Sequence, residues 1–147
     1  MTAKEYLSEV QTLQTMIEQK QETIKQIWES ITTVHGLQYD REKVQGGKQT
    51  DRIGESVAKI VDLEKEAEAD IVNLIHKKHE IITQIHALDN YRYIQLLFKR
   101  YIEFKKFQTV AEEMNLTDQY VKEMHPKALK AFEKQHQNIL QKEGKQI

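Results

Sequence analysis

Cysteine is absent from this chain, so neither a disulfide nor a thiolate-bound metal can hold its fold. Proline occurs once and glycine five times, which excludes a loop-rich or collagen-like architecture and leaves few places where a helix must stop. No apolar run approaches the ~18 residues of a membrane-crossing helix. The opening stretch MTAKEYLSEV has no basic segment followed by an apolar one, the pattern of a secretion signal. A soluble protein of the cytoplasm, with no membrane partner, is expected. A large charge of one sign is missing as well: the formal net charge is −1, so the chain as a whole carries no electrostatic footprint of nucleic acid.

What is there is charge and helix-forming residues. Charged side chains make up 31% of a sequence rich in Glu, Lys, Gln, Ile and Leu, a composition for long helices rather than a sheet. The expected fold class is all-α. The near-neutral average also conceals a division. Residues 1–89 hold 11 basic and 16 acidic side chains, whereas residues 90–147 hold 11 basic and 7 acidic. Any polyanionic partner therefore belongs with the C-terminal third.

Apolar residues from Tyr6 onward recur at alternating steps of three and four: Tyr6, Val10, Leu13, Ile17, Ile24, Ile27, Ile31 and Val34, with one polar break at Lys20. A second seam runs Ile53, Val57, Ile60, Ala67, Ile71, Leu74, Ile81, Ile85 and Leu88, broken at Glu64 and Lys78. Both read as coiled-coil helices. Turn residues collect between them, in a loop expected at about residues 36–52 that holds Gly36 and the Gly46-Gly47 pair, with Gly54 just beyond. The expectation is an antiparallel helical hairpin, a coiled-coil arm over residues 1–88, with Val34 facing Ile53, Ile27 facing Ile60, Leu13 facing Leu74 and Tyr6 facing Ile81. Lys20 then lies opposite the small Ala67, where Glu64, Glu66 and Glu68 offer it a carboxylate while its stem covers the seam.

The arm has more apolar surface than one partner helix needs. Val61, Val72, Ile75 and Ile82 flank the second seam, and Trp28 and Met16 flank the first, beside the seam residues Ile17 and Ile24. Burial of this surface by a second copy predicts a homodimer through Ile17, Ile24, Trp28, Val61, Val72, Ile75 and Ile82. The alternative is that the C-terminal domain folds back onto it.

Two further patterns on the arm carry no function. GGKQT resembles the end of a phosphate-binding loop, but its first glycine, the Ser or Thr directly after Lys48 and a preceding strand are all missing. His76, His79 and His86 share a helix without the complementary ligands a metal site requires. With no nucleophile-base-acid set and no carboxylate pair, neither an enzyme nor a cofactor-binding protein is expected.

From Asp89 the pattern changes to about three helices, a domain over residues 89–147. Asp89 or Asn90 caps the first, in which Tyr93, Leu97, Tyr101 and Phe104 keep helical spacing. A short helix spans residues 108–114, Asn115-Leu116 makes a turn, and Thr117 caps a third helix. Val110, Ala111 and Met114 form the inner face of the short helix, and Leu116 fills the turn. Val121, Met124, Ala128, Leu129 and Phe132 face the core, leaving Asp118, Gln119, Lys122, Glu123 and His125 outward. This is the logic of a helix-turn-helix, although the same spacing suits a three-helix bundle that binds no DNA. Pro126 removes the hydrogen bond to the Lys122 carbonyl, so a kink, or a break near residues 124–125, is expected, with a second helical piece running to about residue 141.

The run LLFKRYIEFKKFQTVAEEMNLTDQYVKEMHPKALKAF resembles region 4 of sigma-70-type factors. Together with VQGGKQTDRIGESVAKIVDLEKE upstream of it, it is similar to a group of small phage and prophage transcriptional regulators of Gram-positive bacteria, related in character to late-gene activators. The resemblance implies a promoter-binding domain on a helical arm, acting on double-stranded DNA in the bacterial cytoplasm, with host RNA polymerase as a further partner. It places base readers at Asp118, Gln119, Lys122 and Glu123, and backbone contacts at Thr117, Tyr120 and the lysines around them. The chain departs from sigma at Asp118, an acid where sigma factors carry a base, so recognition of the −35 promoter element does not transfer. Asp118 suits the positive end of a helix dipole and could also accept from a cytosine amino group. Lys105, Lys106, Lys127 and Lys130 are the candidate phosphate contacts, a modest set for which a dimer would supply useful affinity. Two alternatives share this architecture: a small terminase-like subunit for DNA packaging, and an adaptor or antirepressor that grips RNA polymerase or a repressor instead of DNA.

Overall fold

A computed structural model describes residues 1–38 and 42–145, and every regular element among them is helical. Helix α1 spans Ala3–Gln38, α2 Glu42–His86 and α3 Tyr91–Leu97, which passes directly into a π-helix at Phe98–Ile102. Helix α4 spans Phe107–Met114, α5 Asp118–Gln135 and α6 Gln137–Lys145. No described helix is long and apolar enough to cross a membrane.

The glycines expected in a long loop do not form one. Gly46, Gly47 and Gly54 fall within the bounds of α2, and only residues 39–41, outside the described residues, separate it from α1. Glycine marks a turn where φ must be positive, and no described glycine has positive φ. Within a helix it costs only ~1 kcal/mol relative to alanine, which favourable neighbours offset.

The chain packs as two compact units, residues 14–73 and residues 1–13 with 74–147. In the first, Ile17, Ile60 and Ala67 are buried. Lys20 hydrogen-bonds the Asp70 carboxylate and lies 3.8 Å from Glu66. Ser30 and Ile31 lie near Arg52, Ile53 and Ser56 around a shallow cavity. Residue numbers rise along α1 as they fall along α2, so these segments run antiparallel.

In the second unit the ends of α1 and α2 share one core with the C-terminal helices. Tyr6, Leu7, Val10, Ile81, Ile85 and Leu88 are buried together with Leu96, Leu97, Tyr101, Val110, Val121 and Phe132. The packing therefore divides within the long helices, and residues 1–13 and 74–88 belong with residues 89–147 rather than with an arm. The reason lies in side-chain size. Tyr6 and Phe132, the two largest fully buried side chains among the described residues, meet with ring centroids 6.0 Å apart. The Tyr6 hydroxyl donates to Gln84 Oε1 at 2.7 Å, satisfying a buried polar pair. Burial pushes the Tyr6 hydroxyl up to about 12. Lys77 lies 4.7 Å from the Tyr6 ring centre and bonds Glu9 at 3.0 Å and Glu143 at 3.2 Å, tying α1, α2 and α6 together.

Two expected dimer residues are covered by the chain itself. Ile17 is 3% exposed, and Ile82 packs on the C-terminal core, so for Ile82 the fold-back alternative holds. Ile24 is half-buried. Trp28, Val61, Val72 and Ile75 stay exposed, as does Met16.

Candidate nucleic-acid interface

The segment from α4 to α5 is built by turn chemistry legible in its own residues. Asn115 takes the left-handed conformation (φ 57°), which asparagine tolerates. The Leu116 N–H then reaches the Ala111 carbonyl at 2.9 Å and the Asn115 N–H reaches that of Glu112 at 3.3 Å. This double closure is a Schellman ending, with Leu116 set down against the core. Thr117 is extended, and its hydroxyl accepts from the Tyr120 N–H at 3.1 Å, capping α5. Such a cap contributes ~1 kcal/mol. Val110 and Ala111 of α4 and Val121, Met124, Ala128 and Phe132 of α5 are buried, and Leu129 packs partly against them.

The approach to α4 differs from a plain helix. Within the π-helix the Glu103 N–H bonds the Phe98 carbonyl five residues back. Phe104, expected to continue the helical spacing, instead takes positive φ (59°) and packs on the core from a turn. Such a backbone is unfavourable for a bulky residue, and the burial of its ring opposes that cost. The turn also places Arg100 over the Phe107 ring, 4.2 Å from its centre, where it donates to the Lys105 carbonyl at 3.0 Å.

Helix α5 is continuous through Pro126, with no break at residues 124–125; the chain interrupts it at His136 and resumes as α6. Pro126 is exposed while Met124 and Ala128 are buried. The apolar contacts on the inner side carry the helix across the missing hydrogen bond. His125, expected outward, turns inward: its Nε2 lies 2.7 Å from the Tyr101 hydroxyl, and its ring stacks on Tyr101 and meets Phe107 edge-on. Burial, then the Arg100 and Lys4 charges, hold its imidazole below the usual range.

Gln119, Lys122 and Glu123 are exposed on the N-terminal half of α5, and Asp118 is partly so. They form two pairs along the helix. Lys122 bonds Asp118 at 2.8 Å, and the Gln119 amide donates to Glu123 at 3.3 Å. The two pairs together carry a net charge of −1, and both are solvent-exposed enough to open at little cost. Thr117 is occupied as the cap and Tyr120 accepts from Arg92 Nη1 at 3.1 Å. Among the expected phosphate contacts, Lys106, Lys127 and Lys130 are exposed with no carboxylate within 4 Å among the described residues. Lys105 is not available in the same way. Glu103 and Glu113 each bond it at 2.6 Å, raising its affinity for its proton, while Lys105 in turn holds the Glu113 carboxyl below the usual range. Arg92 escaped sequence reading because nothing in a linear pattern places a residue of α3 beside Tyr120.

Of the histidines on α2, His76 and His79 are exposed and His86 stacks on Phe98. No curated protein and no solved structure matches this chain. A family model described as "Protein of unknown function (DUF1492)" matches residues 33–133, more than two thirds of the sequence and all of the α4–turn–α5 segment except the last two residues of α5, and the chain belongs to that family.

Proposed function

We propose that this protein is a DNA-binding transcription regulator of the phage type that its sequence resembles, with α4 and α5 as a helix-turn-helix and the long helices as a dimerising hairpin. The observation that carries the reading is the α4–turn–α5 junction. Asn115 and Thr117 fix a tight turn, the inner faces of both helices are buried, and the outward N-terminal half of α5 carries side chains able to reach base edges. Reading residues in such motifs cluster at that end of the second helix. The hairpin's exposed Trp28, Val61, Val72 and Ile75 suit burial by a second copy, which would double the phosphate contacts of a modestly basic surface.

The test is retention of pooled fragments of the genome that encodes the protein across a salt series. Lys122→Ala alone would also release the Asp118 carboxylate, so it is paired with the double variant Asp118→Asn/Lys122→Ala, which has the wild-type net charge. The regulator reading expects one upstream region to be retained selectively, retention to weaken with salt, and selectivity to fall in both variants.

A second reading, an adaptor that grips a protein such as RNA polymerase, is favoured by one observation: the polar face of α5 satisfies itself through the Asp118–Lys122 and Gln119–Glu123 pairs. No DNA retention at any salt, with salt-insensitive capture of purified polymerase, would select it.

A further inference from the structure

Beside the outward face of α5 lies a cleft of about 190 Å³ lined by Asn90, Arg92, Tyr93, Tyr120, Glu123, Met124 and Lys127. Its polar groups are mostly donors. The Asn90 side-chain oxygen is occupied in capping α3, accepting from the Arg92 N–H at 3.0 Å and the Tyr93 N–H at 3.4 Å, which leaves its amide NH₂ to donate. Arg92 and Lys127 have no carboxylate within 4 Å among the described residues. Arg92 is held in place instead: it donates to the Tyr120 hydroxyl at 3.1 Å and lies 6.0 Å from the centre of the Tyr120 ring. The one anion of the cleft, Glu123, is engaged by the Gln119 amide.

A guanidinium fork, an ammonium and an amide among the lining of one small cleft match a tetrahedral anion. We infer that this cleft binds a backbone phosphate of duplex DNA, with Arg92 and Lys127 as the contacts and Tyr120 as the residue that positions Arg92. The inference rests on the DNA-binding reading and deepens it: α3 as well as α5 would clasp the duplex, setting how far α5 enters the groove. It also changes the role of Tyr120, which acts through Arg92 rather than directly on the backbone.

The deciding experiment measures affinity for the retained fragment and for an unrelated duplex, from 50 mM salt upward, in the full-length protein and in Arg92→Gln, Arg92→Lys and Tyr120→Phe. One phosphate contact contributes a slope of ~0.9 in log affinity against log salt. Arg92→Gln is therefore expected to lower that slope by about 1 and to weaken both duplexes alike, roughly tenfold near 0.1 M salt and progressively less above it. Arg92→Lys should restore the slope but not all of the affinity, because the charge returns without the fork. Tyr120→Phe should keep the slope and lose affinity. An Arg92→Gln protein with unchanged affinity and slope, beside a wild type that binds DNA, overturns the phosphate site alone. A change confined to the selected fragment would make Arg92 a base reader and overturn it too. Wild-type protein that binds neither duplex removes the DNA-binding reading along with it.

Discussion

His125 precedes the only proline and packs its ring between Tyr101 and Phe107, a setting that suits the neutral imidazole. In the folded chain its proton affinity is lowered by burial, with the Arg100 and Lys4 charges adding to the effect. An unfolded chain takes up that proton near pH 6.5. Between that pH and the lower folded value, the unfolded state binds more protons, so stability falls as the pH falls. Above about pH 6.5 both states are neutral at this residue and the contribution is constant. One proton allows a slope of at most ~1.4 kcal/mol per pH unit, and less for a half-exposed ring that solvent screens. Denaturant midpoints for wild type and His125→Gln, taken from pH 7.5 to 5, should converge as the solution is acidified. A gap between them that is independent of pH would mean that the ring's contribution is packing alone.

At the scale of elements, what was legible in the sequence was local. The Asn115-Leu116 turn, the Thr117 cap and the cap at Asn90, one of the two candidates with Asp89, all act on nearby backbone, so the residue types announce the geometry. Lys20 meets Asp70 as well as the expected Glu66. The π-helix, the inward turn of His125 and the capture of Lys105 by Glu103 and Glu113 depend on groups brought together by the tertiary fold, and no periodicity encodes them. Pro126 shows the same limit. Its lost hydrogen bond predicts a kink or a break, and of the two the break does not occur: buried Met124 and Ala128 on either side keep α5 whole. A proline within a helix costs ~3 kcal/mol relative to alanine. Because Pro126 is exposed, Pro126→Ala restores the bond to the Lys122 carbonyl without touching the core, and should raise stability by up to about that amount. Chemical denaturation with an unchanged m-value would establish this. Under the DNA-binding reading proposed above, a DNA affinity that stays level while stability rises would make the proline a tolerated cost, and one that falls would mean that the local shape it imposes belongs to docking. No gain in stability would mean that the helix is already relaxed around the proline.

For the whole molecule, the family match ends at residue 133 and begins at residue 33, yet the core of the C-terminal helices is completed by Tyr6, Leu7 and Val10 from outside that span. Further ties join the chain around the end of α2 to the junction of α5 and α6: Gln135 donates to the Ala87 carbonyl at 2.6 Å, and the His136 ring lies 2.9 Å from the Gln84 carbonyl oxygen. The Ala3 N–H donates to Glu133 at 3.2 Å. Each buried aliphatic or aromatic side chain contributes roughly 1.5–3 kcal/mol. Removing Tyr6, Leu7, Val10, Ile81, Ile85 and Leu88 therefore takes away ~10 kcal/mol, comparable with the entire stability of an ordinary domain. A fragment of residues 89–147 is accordingly expected to show no cooperative thermal transition, despite holding the complete α4–turn–α5 segment. A chain in which a short turn replaces residues 14–73 should melt cooperatively, because Glu9 and Lys77 already meet across α1 and α2 and two antiparallel helices need only a loop of about 2–5 residues. Calorimetry of the two fragments decides the matter. A sharp transition in residues 89–147 would make the α4–turn–α5 region self-sufficient, and a broad one in the joined chain would mean that residues 14–73 stabilise the rest.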